Sequence, residues 1–494
     1  MSNLEALLAA VCATPDDDTS RLVFADWLDE NGTTKDAKRT AHLRADVQLR
    51  RLLQTDTDGT TFAHYLQSYS TDPLDSAAWS GLAPDLDAIC AAITTREAAH
   101  FPIVAQTEGL PKIRGVTFED FERGFCSQVR INNPSAFAAN AETIFRTAPI
   151  TGLAFEQLNA EQARAFVSSG HLKRIRRLKL DSTDPQSLRI LGEHPDAAGV
   201  TSLRVGCGTN PGEVCEHLAA GKHWTAVTHL EITDLATGAE EPDDCIVPIL
   251  RMRCFRGLHR LRLQDNQLGD PTAEAIADGR FTELRTVDLS GNMLTDMGVE
   301  ALAAAPSLGK LRTLDLSMND HGPDGMSAVL ISPKLAKLTV LRMDSCYSGG
   351  FHARTLKRTS RGPTLRVLDL GGMELTAAGM ALFAKSPVFQ GLWYLRMDSC
   401  SLEDSALRSL TASKAFRSLR GLDLANNNLT TKGIEMLAKW PVPLRHLVLI
   451  ENKIGVLGAK AIIAAEHLQD LRLLMVTGAA EAPLRKHFGK QIVR

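Results

Sequence analysis

The sequence predicts an α/β solenoid: a right-handed coil with parallel strands on a concave face and helices on the convex side, preceded by a small all-α domain. Three observations carry that expectation. A phrase L-x-x-L-x-L restarts nine times, at Leu258, Leu284, Leu311, Leu338, Leu365, Leu392, Leu419, Leu444 and Leu471. The intervals are 26, 27, 27, 27, 27, 27, 25 and 27 residues, too regular for unrelated strands. Eight positions after the first eight starts stand Asn266, Asn292, Asn319, Cys346, Met373, Cys400, Asn427 and Asn452.

Each part of the period has a physical reading. Alternate strand residues face opposite ways, so Val287 and Leu289 point into a core while Asp288 points out. The chain must then turn, and a buried Asn or Cys can satisfy the backbone groups that the turn leaves open. The phrase LTDMGVEALAAAP places Val299, Leu302 and Ala303 at helical spacing. A strand, a returning helix and a next parallel strand make a right-handed crossover. One such unit cannot bury its apolar side alone, so neighbours must stack. This is the leucine-rich-repeat pattern, L-x-x-L-x-L-x-x-N/C-x-L. Weaker strand phrases begin near Cys126, Ile150, Ile175, Val200 and Val227, spaced 24, 25, 25 and 27 residues apart and then 31 before Leu258. They lack the Asn or Cys, as terminal repeats often do. About fourteen repeats in one continuous horseshoe over 125–477 are expected, with 478–494 as a C-terminal cap. The identical LRMDSC at 341–346 and 395–400 points to duplication of a two-repeat unit.

Residues 1–53 read as helical. A first helix over about Asn3 to Ala13 carries a capping box, Ser2 and Glu5, and stops at Pro15. The acidic turn Asp16-Asp17-Asp18 opens a second helix, where negative charge suits the helix dipole. That helix is expected to turn Leu22, Val23, Trp27 and Leu28 to a core and to stop at Asn31-Gly32. A third, over about Lys35 to Leu53, is expected to hold Lys38, Arg39, Arg44, Arg50 and Arg51 on a solvated face. Residues 54–124 read as a linker and a helical connecting or capping region.

The phrases LLAAVCATPDDDTSRLVFADWLDENG, DVQLRRL and FERGFCSQVRI resemble the repeat-companion domain that precedes leucine-rich repeats in planctomycete proteins, and its junction to them. Thr33-Thr34-Lys35 departs from the Asp-Pro-type turn usual there. The repeats resemble the ribonuclease-inhibitor subfamily in length and in the alternation of Asn with Cys. The resemblance implies architecture and is nearly silent on activity.

Motifs for chemistry are missing. The three Gly-Lys pairs are followed by His223, Leu311 and Gln491, so no phosphate-binding loop exists. No zinc-protease, hydrolase or kinase signature occurs, and no cofactor or metal is expected. The first residues lack a basic n-region, and no 18-residue apolar run exists. Nine cysteines without a C-x-x-C pair fit a reducing compartment, so a cytoplasmic setting is expected. A monomer is expected as well. A formal charge of −3 gives no general attraction to nucleic acid or membrane.

The outward strand column is Lys179, Arg204, Glu231, Arg262, Asp288, Asp315, Arg342, Asp369, Arg396 and Asp423. At about 4.8 Å between strands these side chains touch in order. Their alternating signs suit a self-neutralising ladder worth about 0.2–1 kcal/mol per pair, or a surface that reads a partner's charges. Asp288 beside Asp315 is an acidic mismatch that can receive a Lys or Arg. Tyr394 is expected to face outward beside Arg396, with Trp393 and His446 near it, either as a binding hot spot or packed along the ladder. The expected function is a non-enzymatic scaffold binding a protein partner through Arg262, Asp288, Asp315, Arg342, Asp369, Tyr394, Arg396 and Asp423. The alternative is a regulator of an enzyme, an inhibitor or a GTPase activator.

Overall fold

The computed structural model describes residues 2–55, 58–69, 79, 81–83, 86–99, 109–182, 184–346, 362–489 and 493. Parts of the expected connecting region (56–57, 70–78, 80, 84–85 and 100–108) and of the tail (490–492 and 494) lie outside them. The chain is an α/β leucine-rich-repeat solenoid with a helical N-terminal region. Its early helices are α1 (Asn3–Ala13), α2 (Asp18–Asn31), α3 (Thr34–Leu53), α4 (Asp58–Tyr69) and α5 (Leu86–Ala98). Two compact units form: Met1–Gln54 with Ala91–Gln267 and Gly279–Leu284, and Thr55–Cys90 with Leu268–Asp278 and Arg285–Arg494.

In the first unit, α1 starts on the expected capping box, with Ser2 Oγ accepting from the Glu5 amide and Glu5 accepting from the Ser2 amide. Asp17 caps α2 by accepting from the Thr19 amide at 2.8 Å. The buried stripe of α2 is Arg21, Phe24, Ala25 and Leu28, at spacings of three, four and seven. This corrects the expected stripe: Val23 is 46% exposed, and Leu22 and Trp27 pack only at the edge of the core. The third helix is corrected too. Arg39 is not solvated but stacks its guanidinium over Phe24 and Phe125, at 5.2 and 5.1 Å. Arg44 pairs with Asp26 and Asp29.

A strand appears where the sequence reading placed a helical connection. β1 (Val116–Glu122) pairs antiparallel with β2 (Phe125–Ile131). Arg123 (φ 51°) and Gly124 (φ 74°) are both left-handed, as a two-residue hairpin turn requires. From β2 the strands run parallel through β3 (Gly152–Phe155), β4 (Arg177–Leu180), β5 (Ser202–Gly206), β6 (His229–Thr233) and β7 (Arg260–Arg262).

The second unit continues the pattern with β8 (Thr286–Asp288), β9 (Thr313–Asp315), β10 (Val340–Arg342), β11 (Val367–Asp369), β12 (Tyr394–Arg396), β13 (Gly421–Asp423), β14 (His446–Val448) and β15 (Leu473–Met475), each parallel to the next. Leu314, Leu341, Leu368, Leu395 and Leu422 stack in the core with no exposed surface. The turn asparagines tie each repeat to the one before. Asn319 accepts from the Leu294 amide (3.0 Å) and donates to the carbonyls of Leu289, Leu316 and Ser317. Cys346 and Cys400 donate across the layer in the same way, to Leu316 O (3.3 Å) and Leu370 O (3.1 Å). On the helix side, Thr295 caps the helix of the next repeat by accepting from the Met297 amide, and Asp270 holds it by accepting from the Thr295 amide and hydroxyl at 2.9 and 2.6 Å. Asp404 does the same for Thr430. Among the described residues, no helix is long and apolar enough to cross a membrane.

Candidate protein-binding site

Register builds the outward face of the second unit. Asp288, Asp315, Arg342, Asp369, Arg396 and Asp423 align across β8–β13. Two residues earlier, Thr286, Thr313, Val340, Val367, Tyr394, Gly421, His446 and Leu473 form a second column on the same side of the sheet. The arginines sit among more numerous carboxylates. Arg342 bonds Asp315 and reaches Asp344 at 3.2 Å and Asp369 at 3.7 Å. Arg396 holds Asp369 at 3.1 Å, Asp398 at 2.8 Å and Asp423 at 3.9 Å.

Burial governs the protonation behaviour here. It raises Asp369 against the pull of Arg396 and Arg342. It raises Asp315 well above the carboxylate range, with the charge of Asp288 adding to it. It pushes Asp423 up to about 6. Arg396 responds in the opposite sense. Burial lowers it, but Asp369, Asp398, Tyr65 and Asp423 outweigh that and hold it above its ordinary value.

The second column is buried from β10 onward. Val340 and Val367 have no exposed surface, and Tyr394, His446 and Leu473 retain 7%, 7% and 8%. Thr286 and Thr313, at the same position on β8 and β9, stay partly exposed. The cover over β12 is α4. Its Phe62 ring lies 6.0 Å from Tyr394 and 6.3 Å from Trp393, and its Tyr65 ring lies 6.1 Å from Tyr394. Phe62, Ala63, Tyr65 and Leu66 are all buried, at helical spacing. The Tyr65 phenol is raised by burial and then by the charge of Asp369 and by Tyr394, while Arg396 and Arg342 pull the other way. Tyr394 leans toward His446, 6.0 Å away, across a strand whose Gly421 leaves it room. A β-carbon on Gly421 would overlap the ring.

This arrangement corrects one expectation. Tyr394 does stand on the outward side of β12, but it is not exposed, because a segment of its own chain lies on it. Arg342, Asp369, Arg396 and Asp423 form one charged group beside Tyr394, which lies under α4, with Asp315 buried beside them at 5% exposure. Asp288 is partly exposed. Arg262 stands on β7 of the first unit, in register with Glu231. Trp393 is held by Arg366, whose guanidinium lies 4.8 Å from its ring. Sequence reasoning missed Phe62 and Tyr65. The signal was present as F-A-H-Y-L, two aromatics one turn apart in a chain with only four tyrosines.

The outward face of the first unit differs. Arg177, Lys179, Ser202, Arg204, His229, Glu231 and Arg260 all keep partial exposure. Arg177 pairs with Glu122 at 2.5 Å, while Arg204 makes looser pairs with Glu231 (3.7 Å) and Asp181 (3.9 Å). The acidic turn is structural: Asp17 caps α2, Asp18 bridges Arg51 and Arg123, and Asp16 reaches Arg176. Among the described residues, no group of three or more His, Cys, Asp or Glu is placed to hold a metal.

A leucine-rich-repeat sequence profile matches residues 258–277, 282–303, 310–330 and 417–438. A comparison with curated proteins finds no significant sequence match. Among solved structures, the chain is similar to an internalin from Listeria monocytogenes, at 14% identity and a TM-score of 0.41, over 70% of this chain and 85% of that one. It is also similar to a chain of the mouse RP105/MD-1 complex, at 14% identity and a TM-score of 0.42, over 74% of this chain and 63% of that one, just under two thirds of its length. The chain carries leucine-rich repeats, stacked as an α/β solenoid behind a helical N-terminal region.

Proposed function

We propose that the chain is a non-enzymatic interaction scaffold that binds a protein partner through its outward strand face, at Arg262, Asp288, Asp315, Arg342, Asp369, Tyr394, Arg396 and Asp423. The observation that carries this reading is the seat beneath α4. There the face joins an apolar and aromatic column to a row of paired charges, and a protein element already rests on it. Aromatic and arginine side chains concentrate binding energy at such surfaces. Leucine-rich repeats commonly serve as protein-interaction scaffolds, which agrees. A cytoplasmic setting belongs to the same proposal, with all nine cysteines present as free thiols.

The test uses the partner recovered with the intact chain. Asp288 is partly exposed, so Asp288→Lys is expected to slow association and change its salt dependence, because exposed charges mainly steer encounter. Glu300→Lys, on the exposed side of the helix Asp296–Ala304, is expected to leave both unchanged. Loss of binding in the helix-side variant with none at Asp288 would refute the assignment.

A further inference from the structure

We propose that α4 is a tethered stand-in for the partner: the face over β10–β13 accepts an amphipathic helix presenting two aromatic residues one turn apart and a leucine after the second, and a partner carrying such a helix competes with α4 for the seat. This rests on the strand face being the binding surface.

The seat is specific to these repeats. Outward positions on β4–β9 are polar: Arg177, Ser202, His229, Arg260, Thr286 and Thr313. The same positions on β10–β12 are Val340, Val367 and Tyr394, and Gly421 on β13 opens space for the ring. A continuous apolar stripe on a sheet face needs a cover. Beside it stands the Arg342–Asp369–Arg396 group, whose charges act on the Tyr65 phenol while the Tyr65 ring packs on Tyr394. Phe62 supplies the apolar contact, Tyr65 an aromatic body with a polar tip, and Leu66 closes the turn. These are positions i, i+3 and i+4, the way one face of a helix enters a groove.

The cover is also suited to leaving. Residues 58–61, Asp-Gly-Thr-Thr, are poor helix formers, with Gly costing about 1 kcal/mol relative to Ala. A helix of 12 residues is marginal alone in water. Its order therefore comes from the docked face and not from its own sequence. When it detaches, the carboxylates and guanidiniums beneath regain water, which offsets part of the lost contact. Because α4 is joined to the chain, it competes at an effective concentration in the millimolar range. A free helix then gains little against the wild-type protein and much more once α4 is weakened.

A fluorescent peptide of residues 58–69 can be titrated into the full-length protein and into full-length Phe62→Ala/Tyr65→Ala, with thermal melts to confirm folding. The opened variant is expected to bind the peptide at least about tenfold more tightly than wild type. A peptide with Tyr65→Phe should bind it more weakly, and a scrambled peptide not at all. Equal affinity for both proteins, or no binding to a folded variant, overturns the proposal. A second measurement needs no variant: hydrogen exchange at residues 58–69 of the wild-type chain, with the unlabelled peptide in large excess. Faster exchange supports displacement, and unchanged exchange makes α4 a permanent layer of the fold. If the peptide tests fail while Asp288→Lys still weakens the recovered partner, only this inference falls. If the peptide binds and Asp288→Lys has no effect, the charge-reading part of the proposed function falls instead.

Discussion

Asn427→Leu is expected to destabilise the second unit by about 3–5 kcal/mol, although leucine has the same branched heavy-atom skeleton as asparagine. The Asn427 carboxamide is 6% exposed. Its oxygen accepts from the amides of Cys400 (3.1 Å) and Leu402 (2.8 Å), and its nitrogen donates to the carbonyls of Met397, Leu424 and Ala425 at 2.9–3.0 Å. Leucine removes every partner at once and brings no water into the layer. Each buried group left unmet costs about 1–3 kcal/mol, and the two amides have the fewest alternatives. A neighbouring repeat shows what partial compensation looks like. Cys400 has no side-chain oxygen, and the Leu375 amide turns to the Cys400 carbonyl at 3.4 Å. Asn427→Cys should therefore be milder than Asn427→Leu, since the thiol can still donate to Met397 and the Leu402 amide has the same backbone alternative. Urea unfolding gives the energy, and hydrogen exchange at Cys400 and Leu402 locates it. Because repeats are stabilised by their neighbours, the loss should spread to the flanking layers. Equal stability of the two variants would mean that the side-chain donor to the Met397 carbonyl contributes little.

The repeat was legible because its signal is local and redundant. Leucines at fixed offsets face the core in every layer, so each layer repeats the evidence of the last, and the strands from Gly152 to Met475 lie on the phrases that predicted them. The charge column was legible for the same reason, since a constant period keeps Asp315, Arg342, Asp369 and Arg396 in step. What covers that column was not. Phe62 and Tyr394 stand 332 residues apart, and no periodicity links a lone helix to a distant strand face. Burial of Tyr394 is thus a tertiary fact that the alternation of strand residues cannot contain. The α2 stripe failed differently. Leu22 and Val23 are the more apolar choices, but the helix turns Arg21 and Phe24 inward because Phe24 meets Phe125 at 5.3 Å and Arg39 stacks on both rings. β1 was missed because its burial is irregular, with the hairpin carried by the Arg123-Gly124 turn and not by a hydrophobic run.

Arg396→Leu is expected to cost a similar amount, about 3–5 kcal/mol at pH 8, and to make stability depend on pH in a stated direction. Arg396 is the closest cation to Asp369, which has no exposed surface, and it also reaches Asp398 and Asp423. Removing one partner of a buried pair leaves a charge that the interior does not solvate, at about that cost. The folded-state pKa of Asp423 is about 6 against an ordinary 3.8, and Asp369 is raised as well. For a carboxyl raised on folding, the folded state binds the proton more tightly. Stability from such a group is therefore greatest below pH 4 and falls as pH rises through the folded value. Without Arg396 both carboxyls should rise further, so the window extends above pH 6. The gap between variant and parent should then be widest near pH 8 and narrow on acidification toward pH 4. A second substitution sharpens the test. Asp369→Leu in the Arg396→Leu background removes the stranded charge and should recover part of the loss, because an apolar replacement of a whole pair is often close to neutral. Urea midpoints at pH 4, 6 and 8 for the parent, the single and the double variant decide it. A deficit that is constant with pH and not relieved by Asp369→Leu would mean that Arg396 acts by packing its stem under α4 and not by holding the buried carboxylates.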